Sequence, residues 1–130
     1  MTSATLTGAL RANARGLFAH EAAVALLIDH CYWLDRADFL DEFIDTFDDF
    51  ACPSPMAAVR WPEAVAALDR GQLSGSNSEN KILRLAAALG AGISLDLQTA
   101  ITGLDDTNLQ HVLTAIRHAA GRRPAHPEQP

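Results

Sequence analysis

Between Asp35 and Phe50 the chain concentrates seven of its sixteen acidic residues and four of its five phenylalanines. At about 100° per residue, Phe39, Leu40, Phe43, Ile44, Phe47 and Phe50 fall on one side, and Asp38, Asp41, Glu42, Asp45, Asp48 and Asp49 on the other. Six large apolar groups in one stripe would make a sizeable exposed patch unless something covered them. The pattern therefore predicts an amphipathic helix from an Asp35 N-cap to about Ala51, its phenylalanines in the core and its carboxylates in solvent.

The rest of the chain has the same bias. Ala is abundant and Val, Ile and Thr rarely alternate, which favours helix over sheet. Helices are expected at about 5–15, stopped by Gly16, and at about 20–31. In the second, Ala22 to Ile28 is apolar on every side, as in an element surrounded by others. Pro53, Pro55 and Pro62 predict an irregular crossing anchored by Trp61, then a short helix over 63–70 ended by Gly71. Ser76 and Glu79 fit a capping box for a second central helix over 77–89, ended by Gly90. Ser94 is expected to cap a short helix to about Thr102, and Asp105 a last one to Ala120, stopped by Gly121. The expected fold is all-α, a single-domain bundle of about six helices over residues 1–121, with a disordered Pro-rich tail over 122–130.

The net charge of −6 is unevenly spread, with −7 in residues 1–80 and +1 in residues 81–130, so only the second half could approach a polyanion. The first ten residues lack a secretory pattern, and the longest apolar run, Ala22 to Ile28, is too short to span a bilayer. A cytoplasmic protein with no membrane partner is expected. Cys31 and Cys52 imply free thiols rather than a disulfide framework.

Candidate chemistry is sparse. The carboxylates of the acidic segment lie opposite its apolar stripe, where solvation keeps them alike, and catalysis needs one desolvated. Asp38, Asp41, Glu42, Asp45, Asp48 and Asp49 are instead expected to meet a protein partner with a basic surface. His20, His30, Cys31 and Cys52 have the right chemistry for a metal but neither a C-x-x-C nor an H-E-x-x-H spacing, so no metal and no cofactor are predicted. Ser74 and the glycines around it fit neither a nucleophile elbow nor a P-loop, so no catalytic residue is assigned. A non-enzymatic protein-binding or regulatory module is the expectation, its oligomeric state left open.

Ser94-Leu95, Thr102-Gly103-Leu104-Asp105, then Leu109, Val112, Leu113 and Ile116, and finally Ala120-Gly121 resemble the helix-turn-helix core of bacterial winged-helix regulators over residues 82–121. That resemblance implies, as the alternative, a DNA-binding regulator with the motif at 94–121. The last helix would then lie in the major groove with Thr107, Asn108, Gln110, His111 and Arg117 facing duplex DNA. Asp105 and Asp106 put negative charge where phosphates would approach, and no wing follows Gly121. Trp33-Leu34-Asp35-Arg36, Ser78-Glu79 before an apolar helix, Thr102-Gly103-Leu104-Asp105 and His118-Ala119-Ala120-Gly121 also resemble small uncharacterised all-helical proteins of high-GC actinobacteria. That likeness implies the helical fold and no enzyme motif.

Overall fold

The computed structural model of the chain describes residues 3–49 and 52–122. In chain order they form α1 (Ser3–Ala14), α2 (Phe18–His30), a 3-10 turn (Trp33–Asp35), α3 (Ala37–Phe43), β1 (Ile44–Asp49), β2 (Cys52–Val59), α4 (Trp61–Asp69), α5 (Asn77–Ala91), α6 (Leu97–Ile101) and α7 (Asp106–Ala119). The fold is mostly helical, with seven α-helices among the described residues instead of about six, and it is not purely α.

The two helices expected to be central, α2 and α5, pack against each other. Around them, α7 and α1 lie on α2, α4 lies on α5, and β2 crosses α1. One apolar cluster joins them, with Leu26, Leu27, Ile82 and Leu83 at its middle and Trp33 and Phe39 sealed in beside them. The two central helices come close because α5 carries Gly90. A Cβ there would lie 2.7 Å from the Trp61 ring and 3.0 Å from the Ala23 methyl. Gly90 is thus a packing residue inside the helix and not its expected stop, a role taken by Gly92 in the left-handed conformation (φ 66°).

Several termini follow local chemistry. Ser76 and Glu79 make the reciprocal capping box of α5, and Asp105 accepts from the Asn108 amide at 2.8 Å to start α7. At α6 the cap is Asp96 and not Ser94: its carboxylate accepts from the Gln98 amide at 3.2 Å and from the Thr99 hydroxyl at 2.6 Å.

The main departure lies in the acidic segment. Asp35 belongs to the 3-10 turn and caps nothing. Arg36 takes the N-cap position of α3, and the helix ends at Phe43. Ile44 to Asp49 is a strand paired antiparallel with Cys52 to Val59, Ile44 opposite Val59 and Phe47 opposite Met56, with a register shift between Asp48 and Asp49. Two physical terms oppose the longer helix. It would place Asp45, Asp48 and Asp49 at the negative end of its own dipole, and Asp41, Asp45 and Asp49 would repel at successive i, i+4 spacings. Pro53 and Pro55, expected to make an irregular crossing, sit in β2 instead. The shortened helix still buries Phe39 and Phe43, while Phe47 on the strand is 42% exposed. Phe50, the last of the expected stripe, and all of the expected tail except Arg122 lie outside the described residues.

Candidate functional site

The carboxylates predicted to meet a partner divide between α3 and β1. Ahead of them an aromatic ladder fixes α3: Tyr32 meets Trp33 edge-on at 5.0 Å, Trp33 meets Phe39 at 5.5 Å, and Phe39 meets Phe43 at 5.6 Å. The Trp33 indole donates to the Glu79 carbonyl at 2.9 Å, which ties the ladder to α5. Arg36 lies over the Trp33 ring, donates to the Ser74 carbonyl and pairs with Asp38. Its hydrogen bond holds the Asp38 carboxyl below the ordinary carboxylate range, so Asp38 is exposed but already has a cation beside it. Asp45 is loosely compensated, 3.8 Å from the Arg60 guanidinium.

Asp41 and Glu42 are exposed and have no ion-pair partner among the described residues. Alternate residues share a strand face, so Asp45 and Phe47 point the same way from β1. The structure therefore leaves Asp41 and Glu42 exposed at the end of α3 and Asp45 and the Phe47 ring exposed on the strand that follows, where one continuous helical face had been expected. The side chains of Asp48 and Asp49 lie outside the described residues, although their backbone belongs to β1.

The five residues of the DNA-binding alternative differ in exposure. A helix, a turn with Gly103 in the left-handed region (φ 82°) and a second helix are present at 97–119. On α7, Thr107, Gln110 and Arg117 share an exposed stripe with Thr114, whereas Asn108 and His111 are half-buried towards the body of the protein. Val112 and Ala115 are the buried contacts of this helix. Next to that buried line, turned by about 100°, Leu113 is 44% exposed and Ile116 46% exposed. This second apolar line was visible in the sequence as Leu109, Leu113 and Ile116, but the core of a helix-turn-helix absorbed it. An apolar arc too wide for one neighbouring helix was the signal.

Among the candidate metal ligands, no group of three or more His, Cys, Asp or Glu among the described residues is placed to hold an ion. Cys31 is exposed and ends α2 with φ 69°, a left-handed conformation unusual for a residue with a side chain. The side chain of Cys52 lies outside the described residues. His30, in the last turn of α2, has a buried Nδ1 with no hydrogen-bond partner among the described residues. Burial lowers its pKa from the ordinary 6.5. His111 pushes in the same direction, and Glu79 and Asp105 push against it. At the other end of α7, His118 Nε2 meets Glu21 Oε1 at 2.8 Å and Phe18 stacks obliquely on the imidazole, which pins the C-terminal turn to the start of α2.

No helix among the described residues is long and apolar enough to cross a membrane. No family model, no curated protein and no solved structure matches this chain.

Proposed function

We propose that the chain is a non-enzymatic protein-binding module that meets a basic partner through the outer side of α3 and β1. One observation carries this reading: Asp41 and Glu42, exposed and without an ion pair among the described residues, lead into a strand face that presents Asp45 and the 42% exposed Phe47. An aromatic anchor bordered by carboxylates suits a partner that brings Arg or Lys around an apolar slot. The charges would steer the encounter, and the ring would supply the buried contact.

Duplex DNA is the second reading, favoured by the helix, turn and helix at 97–119 and the outward stripe of Thr107, Gln110, Thr114 and Arg117. That stripe carries one positive charge, and Asp105 and Asp106 stand at its leading end, so phosphate neutralisation is poorly served.

Affinity capture with the chain as bait, followed by calorimetric titration of the purified candidate, separates the two. Binding should be lost in the Asp41→Lys, Glu42→Lys, Asp45→Lys variant and in Phe47→Asp, and kept in Arg117→Ala. A salt-sensitive mobility shift on genomic fragments, abolished by Gln110→Ala with Arg117→Ala, would replace this reading with the regulator.

A further inference from the structure

We infer that α7 is also a homodimerisation helix, its outer apolar line docking antiparallel on the same line of a second copy of this chain. The inference is independent of the acidic face. It starts from spacing: Leu109, Leu113, Ile116 and Ala120 recur at intervals of four, three and four, which is the seam spacing of paired helices. The fold uses a different line, through Val112 and Ala115, to hold α7 on α2, and leaves Leu113 and Ile116 nearly half-exposed at the middle of a well-capped helix. A helix made to cover its own core needs one such line, and this one has two.

Charge selects the occupant and its direction. The N-terminal end of α7 carries Asp105 and Asp106, and the C-terminal end carries Arg117 and, just past the helix, Arg122. Antiparallel pairing with a second copy sets each acidic end beside a basic end and opposes the two helix dipoles favourably, whereas parallel pairing would set like against like. Seam spacing then gives the register. Leu113 of each copy meets the partner's Ile116, Leu109 meets the partner's Ala120, and Asp106 comes beside the partner's Arg122. This pairing also joins the two chains through the half that carries +1 and keeps their −7 halves apart. The same contact covers Leu113 and Ile116, which neither water nor a DNA groove would favour.

Sedimentation equilibrium on the full chain from micromolar to near-millimolar concentration tests the inference. A monomer–dimer equilibrium is expected, with Leu113→Asp and Ile116→Asp each raising the dissociation constant by about tenfold or more. Both positions are exposed, so the circular dichroism and melting of the monomer should not change. Asp106→Arg should weaken the dimer, and adding Arg122→Glu in the same chain should restore it, since the swap re-forms both end pairs. A chain that stays monomeric over the whole range overturns the inference. So does a dimer indifferent to Leu113 and Ile116 but broken by charge reversal at Asp41 and Glu42. Failure of the charge swap to rescue Asp106→Arg overturns the antiparallel arrangement.

Discussion

Residues 37–49 and 106–119 are both amphipathic stretches of the chain, and they fold by different rules. The first repeats Phe at 39, 43 and 47 at helical spacing, yet it is a helix for seven residues and then a strand. The second is a helix throughout, from an Asp105 cap to a stop before Gly121. What separates them is charge along the axis. The second has its acids at the start and Arg117 and His118 in its last turn, in accord with the dipole, while the first would have run three more carboxylates into its own negative end. Periodicity chooses a face, and axial charge helps to decide how far the helix runs.

The sharpest way to break this contrast is to truncate the phenylalanines. Phe43→Ala should cost about 3–5 kcal/mol in chemical denaturation, because its ring is buried between Phe39 and the core. Phe47→Ala should cost less than about 1 kcal/mol, because the strand leaves that ring in solvent. Equal losses at the two positions would restore the long helix.

On α7 the same test applies to adjacent residues. Val112→Asp would place an unpaired carboxylate in the contact with α2 and should destabilise by about 3 kcal/mol or more, whereas Leu113→Asp should leave monomer stability within about 0.5 kcal/mol. If Leu113→Asp unfolds the monomer, the outer line is core.

The caps give a smaller effect. Asp105→Ala removes the acceptor for the Asn108 amide and should cost about 1 kcal/mol, with faster amide exchange confined to the first turn of α7. At α3 there is no side-chain cap to lose, since Arg36 makes none.

The smallest expected effect is a pH dependence that loosens α7 before α3. His30, held below 6.5 by burial, is faced by Glu79 from α5 and by His111 and Asp105 at α7. As pH falls the unfolded chain takes up that proton first. Stability is therefore intact above 6.5 and declines as pH falls from 6.5 through the lower folded value. Amide exchange at pH 7 and pH 5 should show α7 opening more than α3 at the lower pH, and His30→Gln should flatten the difference. A pH response unchanged in His30→Gln would assign it to other groups.

Much of the bundle was legible in the residues. The stretch at 22–28, apolar on every side, and the apolar-rich stretch at 82–89 marked the two central helices, and Ser76 with Glu79 and Asp105 marked two helix starts. The hairpin was not legible, because the apolar residues of Ile44-Asp45-Thr46-Phe47 keep a helical spacing and the segment lacks the apolar and polar alternation of a strand. Gly90 was misread because a helix stop and a close helix crossing ask for the same residue. Of the candidate site, the acidic residues were evident from spacing. That Arg36 and Arg60 would compensate two of them, leaving Asp41, Glu42 and Phe47 as the open surface, depended on side chains that meet only in the fold.

The residues alone set what acts within about four positions: the caps of α5 and α7, the left-handed stop at Gly16, and which side of each helix could be buried. These depend on hydrogen bonds and φ angles that near neighbours supply wherever the segment sits. The tertiary structure was needed to decide that Ile44 to Asp49 pairs as a strand with β2, that Gly90 is a contact, and that α7 buries Val112 while leaving Leu113 in solvent. Each of these turns on a partner outside the segment itself, β2 for β1, Trp61 for Gly90, and α2 for α7. A local pattern can offer a surface to such a partner but cannot say which part of it the partner will cover.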